Sequence, residues 1–311
     1  MLARIGLLLA LLLVGLQPAA AKRIAFSFDD APRRAGAFLT PDQRTVRLIA
    51  ALQRAGVGQA VFFVNPGNLA EPFGEGGEER LRAYVAAGHL LANHSFSHPA
   101  LRATDADVYL ADIDRAATWL SARPGYRPWF RFPFLDEGRA DKAKRDRVRA
   151  GLAARGLTNG YVTVDASDWN MEQLTIDAVA AGTAIDMDGL RTLYVDSHVE
   201  AAEAADAVAV AALGRSPAHM MLLHETDLAA MFLPDMVAAL KARGWEVIGA
   251  DEAYRDPISS WAASVDVPSA QGTLIEAIAW ARGLPEPRWW PGNQPDVALR
   301  RYRTEVLHAA P

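Results

Sequence analysis

Cysteine is absent from this chain of 311 residues. That absence removes disulfides, thiolate-held zinc, iron–sulfur clusters, a thiol nucleophile and a lipidated N-terminal cysteine. Any metal must then sit on histidine, aspartate or glutamate. An excess of positive charge is also lacking: the formal net charge is −5 and there is no basic block, so nucleic acid is not an expected partner. No apolar run reaches the ~20 residues of a membrane span. The most apolar stretch, Ile5 to Leu16, is preceded by Arg4 and followed by Ala19-Ala20-Ala21, the layout of a secretory signal peptide. The expectation is an exported protein, periplasmic or extracellular, with no stable membrane span after cleavage and a mature chain starting at Lys22. Histidine is scarce, seven in all, so a local group of them carries weight. No internal repeat is visible.

What is present is the composition of an ordinary globular protein, 51% hydrophobic and 22% charged. Short apolar runs alternate with longer amphipathic stretches. Strands are expected at 23–28, 59–64, 89–93, 129–132, 160–163, 218–223 and 245–248. Helices are expected at 41–55, 78–87, 105–121, 142–154, part of 186–213, and 228–242. Thr40 with Gln43 forms a capping box and Pro41 suits the first helical position. Glycines 56, 88, 156 and 244 follow four of the helices, where a left-handed residue ends the last turn. This alternation implies a parallel sheet, open or closed into a barrel. Residues 71–79, rich in Gly and Glu, read as a solvated loop. Residues 257–311 hold seven of the 18 prolines and four of the eight tryptophans, too aromatic for a disordered tail. They read as an appendage wrapped on the main domain. Within it, Trp289-Trp290-Pro291-Gly292-Asn293 suits either a sugar-stacking edge or simple packing.

Five short strings carry the chemistry: Phe26-Ser27-Phe28-Asp29-Asp30, His94-Ser95-Phe96-Ser97-His98, Arg131-Phe132-Pro133-Phe134, Asp165-Ala166-Ser167-Asp168-Trp169 and Leu222-Leu223-His224. Each lies at or just past a strand candidate, the face where βα loops gather side chains from different strands. His94 and His98 are four apart, and Pro99 disfavours a helical His98, so a loop or helix-entry turn is expected. Adjacent aspartates in a strand point to opposite faces, so Asp29 and Asp30 share a site only where the strand ends and the chain turns. Two histidines and one carboxylate leave coordination positions open for water and substrate, as in catalytic zinc sites. Redox-active Fe(II) uses the same set, so ligand type alone does not choose hydrolysis.

In order, the strings resemble the motifs of the polysaccharide deacetylase family, the carbohydrate esterase group (family 4) that shares the NodB homology domain. The likeness spans roughly residues 23–254, and flanking text agrees at Ala60-Val61-Phe62-Phe63-Val64 and at Gly88-His89 through Asn93-His94-Ser95. The resemblance implies an α/β fold, an irregular (β/α) barrel of about seven parallel strands. The domain layout is then a signal peptide at 1–21, the catalytic domain at 22–256 and an extension at 257–311. It implies Asp29 as general base, Asp30, His94 and His98 as metal ligands, and Arg131 as the partner that orients the base. His224 is implied as the acid that protonates the leaving amine, with Asp168 as its carboxylate partner and Asp165 supporting the turn. Leu222 and Trp169 match residues that line a pocket for the acetyl methyl. Phe134 stands where many members have tyrosine, keeping the backbone N–H of the oxyanion contact but losing the hydroxyl. Ala31 replaces a frequent glycine.

The activity implied is hydrolytic deacetylation of an N-acetylated amino sugar in a peptidoglycan- or chitin-like polymer or oligomer. Zinc is the expected ion, with cobalt and nickel as alternatives. Two other functions fit the same residues: deacylation of a small amide or lipid-linked sugar, and non-catalytic carbohydrate binding on the same fold.

Overall fold

A computed structural model describes residues 21–309. The chain opens with β1 (Lys22–Ala31), α1 (Pro41–Ala55), β2 (Val61–Val64), α2 (Gly77–Ala86), β3 (Leu90–Asn93), α3 (Ala106–Leu120), β4 (Tyr126–Phe130) and α4 (Lys142–Ala154). It continues through β5 (Thr158–Asn159), β6 (Val164–Asp165), α5 (Asp168–Ala180), α6 (Met187–Leu213), β7 (Ala218–His224), α7 (Asp227–Ala242) and β8 (Trp245–Val247). Four short helices follow: α8 (Ala250–Ala253), α9 (Ser259–Ala262), α10 (Leu274–Ala281) and α11 (Pro295–Glu305). The signal-peptide reading falls on residues 1–21, of which 1–20 lie outside the described residues.

Local chemistry sets the element ends. Thr40 Oγ1 accepts from Gln43 N, and Gln43 Oε1 accepts from Thr40 N, closing the expected box at α1. Glycines 56, 88, 156 and 244 take φ of 74°, 96°, 67° and 81°. In a residue with a Cβ that conformation is disfavoured, which is why glycine ends these helices.

All strand pairs are parallel, in the order β5-β4-β3-β2-β1-β7-β6. β7 runs along one edge of β1 from Arg23 to Asp29. The other edge is divided: β8 pairs with Lys22–Ile24, and β2 pairs further on from Ser27. The two end strands, β5 and β6, are separated by only residues 160–163, so that segment curls the sheet into the irregular (β/α) barrel expected.

The strand expected at 160–163 is not one. Gly160 N donates to Phe130 O and Thr163 N to Met220 O, so the segment crosses from β4 to β7. The carbonyls of Gly160 and Tyr161 turn to the Arg131 guanidinium instead of a ladder partner. β4 also ends earlier than expected, leaving Arg131 and Phe132 past the strand. The 71–79 stretch is no solvated loop throughout: Gly74 and Gly77 are buried, and α2 begins at Gly77. Helix α5 had no counterpart among the expected elements.

β2, β3 and β7 are buried along their whole length, as parallel strands covered on both faces are. Alternate residues divide between two clusters. Ile24, Phe26, Phe28, Met221 and Leu223 pack outward against Leu48, Leu52, Leu233 and Met236 of the helices. Ala25, Val61, Phe63, Met220 and Leu222 fill the interior. Strand parity carries Ser27 and Asp29 onto the interior face with Ala25, and His224 there with Leu222. Residues 257–309 pack on this frame: Ile258, Val265, Leu274 and Ile278 join Tyr161 and Ala209, and Tyr302 and Val306 enter the main core.

Candidate metal centre and its cleft

The register of β1 and β7 sets Asp29 beside His224 at the C-terminal ends of adjacent strands. Asp30 does not follow a strand end as expected. The pairing of β1 with β2 shifts between Phe28 and Ala31, and Asp30 takes φ 65°. This bulge turns two consecutive aspartates toward one cleft.

His94 and His98 follow β3 in a loop where Ser95 (φ 66°) and His98 (φ 57°) are left-handed. Asn65 Nδ2 donates to His94 O and Ser95 O, Asn93 Oδ1 accepts from Ser95 N, and Asp112 accepts from Phe96 N and Ser97 N. The loop is thereby fixed by side chains of its neighbours. Strained backbone held by its surroundings is common at functional sites.

Ligand atoms of Asp30, His94 and His98 lie within 4.8 Å of one another. Asp30 Oδ1 is 3.4 Å from His94 Nε2 and 3.1 Å from His98 Nε2, yet it has no aligned hydrogen-bond partner among the described residues. His94 Nδ1 meets the Arg131 carbonyl at 2.9 Å, an acceptor, so Nδ1 carries the proton and Nε2 of the neutral ring offers a lone pair. Lone pairs of oxygen and nitrogen therefore converge on one point. A divalent cation relieves that arrangement, and the hard oxygen and imidazole donors suit one. Partial desolvation raises the Asp30 pKa, but His94, His98 and His224 outweigh it and hold the carboxyl well below the usual range. Arg33 adds a guanidinium at the rim, with Nη1 3.7 Å from Asp30 Oδ2.

Asp29 is buried, with Oδ1 2.8 Å from Arg131 Nη1 and Oδ2 3.6 Å from His94 Nε2. Arg131 is buried in the barrel mouth and fully engaged. It donates to Ser27 Oγ at 2.9 Å, Gly160 O at 2.6 Å, Tyr161 O at 3.3 Å and the Tyr254 hydroxyl at 2.9 Å. Its Cζ lies 4.0 Å from the centre of the Phe63 ring. Such a held guanidinium fixes one carboxylate oxygen and leaves the other facing the triad.

On the other strand, Asp168 Oδ2 accepts from His224 N at 2.8 Å and Oδ1 meets His224 Nδ1 at 2.7 Å. His224 Nε2 points back to the triad, 3.9 Å from Asp30 Oδ2. Burial pulls the His224 pKa down, but Asp168 outweighs it and the net shift is upward; Asp168, despite burial, is lowered. Asp165 Oδ1 accepts from Ser167 N at 2.7 Å in the turn into α5, and burial pushes its carboxyl up to about 6.

These groups open onto one cleft of about 520 Å³. Leu222 lines its floor, buried, while Phe134 and Trp169 are 50% and 45% exposed on its walls. Phe134 (φ 60°) sets its ring against His98 at 4.5 Å. Arg131 and Asp168 stand behind the lining. The sequence reading missed Ser27, Tyr254, Arg33, Gln271 and Glu276. Ser27 had a signal, since strand parity puts it on the face of Asp29, and Thr273 with Glu276 spells a capping box. Tyr254 had none.

The family resemblance is borne out. Residues 17–155 match the model of the polysaccharide deacetylase family. Solved structures of related shape include the family 4 carbohydrate esterase from Streptomyces lividans in complex with acetate, 22% identical over 75% of this chain and 95% of that one, TM-score 0.49. Others are the chitin deacetylase from Colletotrichum lindemuthianum (17% identity, 76% and 88% covered, TM-score 0.49) and a peptidoglycan deacetylase from Bacillus subtilis (20% identity, 75% and 90% covered, TM-score 0.45). The fold assignment rests on the strand order rather than on these distant likenesses. No curated protein matches the chain. Among the described residues, no helix is long and apolar enough to cross a membrane.

Proposed function

We propose that the protein is an exported hydrolase that removes the acetyl group from N-acetylated amino sugars of a peptidoglycan- or chitin-like polysaccharide or oligosaccharide. The observation that carries this reading is the pair of buried couples, Asp29–Arg131 and His224–Asp168, bracketing the Asp30, His94 and His98 triad in one cleft.

A divalent cation on Asp30, His94 and His98, zinc by expectation with cobalt or nickel as alternatives, supplies Lewis acidity to the amide carbonyl and to water when bound. Asp29 takes a proton from the attacking water on Oδ2, since Arg131 occupies Oδ1. The water oxygen bonds to the carbonyl carbon, and the Phe134 backbone N–H is assigned to the charge that develops on the carbonyl oxygen. His224 then gives its Nε2 proton to the departing nitrogen as the carbon–nitrogen bond breaks. Asp168 at Nδ1 keeps that ring in the orientation and tautomer the transfer needs. Acetate and a free amine are the products. Leu222 and Trp169 receive the acetyl methyl, and residues 257–311 act as an extension of the catalytic unit 22–256.

The test is acetate release from N-acetylglucosamine oligomers by the wild type and by Asp29→Asn and His94→Ala. Removing a positioned general base costs about 10²–10⁴-fold in kcat, and His94→Ala should remove activity through the metal. Two variants as active as the wild type would refute the assignment.

A further inference from the structure

One wall of the cleft comes from outside the five motif strings. Glu137 N donates to Ala270 O at 2.8 Å, Gln271 bridges to Asp136 and donates from Nε2 to Phe134 O at 3.2 Å, and Leu274 N donates to Val162 O at 2.8 Å. Further along, Asn293 Nδ2 donates to Asp165 O at 2.7 Å. The C-terminal stretch is thereby tied to the loop that carries Phe134 and to the end of β6 at Asp165. It sends Gln271, Glu276, Trp289 and Asn293 into the same cleft as the triad.

Their chemistry is mixed in a particular way. Trp289 is half-buried at the cleft, whereas Trp290 faces away, toward Met171, Leu174 and Tyr302. Asn293 spends its amide donor on Asp165 O and leaves Oδ1 buried without a protein partner among the described residues. Glu276 Oε2 accepts from Thr273 N, and Gly272 (φ 104°) leaves room for it: a Cβ there would lie 2.2 Å from that oxygen. Burial and the nearby Asp165 push the Glu276 carboxyl up to about 8, so at neutral pH it donates a hydrogen bond as well as accepting one. An indole face beside an amide oxygen and a carboxyl group matches a pyranose, whose C–H face is apolar and whose edge carries hydroxyls.

We infer that Trp289, Asn293 and Glu276 form a subsite for a second pyranose unit, adjoining the unit whose acetamido group reaches the triad. The identity of that adjoining unit rests on the deacetylase reading above; the subsite itself rests on the C-terminal wall. Binding energy gathered there, away from the scissile amide, favours oligomers over single sugars.

The experiment compares N-acetylglucosamine with its β-1,4-linked tetramer as substrates for the wild type, Trp289→Ala, Trp289→Phe and Asn293→Ala. The wild type should favour the tetramer in kcat/KM, and Trp289→Ala should cut that tetramer-to-monomer ratio about tenfold, mainly through KM. Asn293→Ala should lower it too, and Trp289→Phe, which keeps an aromatic face, should restore most of it. A wild-type ratio near unity, or a ratio that Trp289→Ala and Asn293→Ala leave unchanged, overturns the subsite. Calorimetric binding of the tetramer to Asp29→Asn protein separates the two readings. If the wild type releases acetate from neither sugar, the deacetylase reading fails. The subsite then stands if Trp289→Ala in that background weakens tetramer binding about tenfold, and falls if it does not.

Discussion

Asp168 holds His224 at two points, the backbone N–H and Nδ1, so one carboxylate sets both the place and the charge preference of the imidazole. Burial alone would lower the His224 pKa; Asp168 reverses that and carries it above the ordinary value. In the proposed mechanism His224 gives a proton, so it works below its own pKa and fails as pH rises through it. With that pKa raised, the alkaline limb of kcat lies above the ordinary histidine value of ~6.5. Asp168→Asn removes the raising charge and leaves the burial, so the limb should move to lower pH. A kcat–pH profile of the two proteins checks this, and an unmoved limb assigns the alkaline limb to another group. Much at this scale was legible, because Asp29, Asp30, His94, His98 and His224 are polar residues at or just past strand candidates, while the family resemblance singled out Asp168. The rest was not. Gly160 and Tyr161 act on Arg131 through backbone carbonyls, and every residue has one.

Between β5 and β6, residues 160–163 do what no regular element could. Ordinary ladder bonds would consume the carbonyls that Arg131 needs, and a side chain at position 160 would meet the ring on which Arg131 rests. A Cβ on Gly160 would lie 2.6 Å from Phe63. Gly160→Ala should therefore destabilise by about 1–3 kcal/mol through overpacking. By shifting Phe63 it should also lower kcat beyond any loss of folded protein. Thermal unfolding together with rates per folded enzyme tests this, and an unchanged melting temperature would show that the ring yields freely. Sequence pattern could not reveal the crossing, because Gly160-Tyr161-Val162-Thr163 has the composition of a strand. Helix α5 was hidden for a related reason: Thr175, Ile176 and Val179 are β-branched, and its helical state comes from packing against the core rather than from propensity. By contrast, α1 and α4 were legible to the residue, where caps and periodicity agree.

Across the whole molecule, the alternation of apolar runs with amphipathic helices announced a parallel sheet, and the structure curls it, with residues 160–163 joining its end strands β5 and β6. The curl itself has no sequence signal, since it depends on β5 and β6 taking opposite ends of the sheet. The loop after β1 is also set by distant partners. Arg44 donates to Arg33 O and Arg34 O, Glu225 accepts from Arg33 N, and Asp227 accepts from Phe38 N and Leu39 N, all with buried side chains. Glu225 and Asp227 follow His224 in sequence and Arg44 of α1 lies 3.4 Å from Asp227, so one buried polar network ties the loop beyond Asp30 to the segment beyond His224. The C-terminal stretch adds a third tie at Phe134 and Asp165. All of these surround one centre, and in the proposed mechanism the metal that Asp30, His94 and His98 would hold is the point on which the chemistry depends. Acetate release from an N-acetylglucosamine oligomer, measured before chelation, after chelation and after zinc is returned, tests this most directly. Activity should vanish with the chelator and return with the ion. Full activity in metal-free protein would contradict the account.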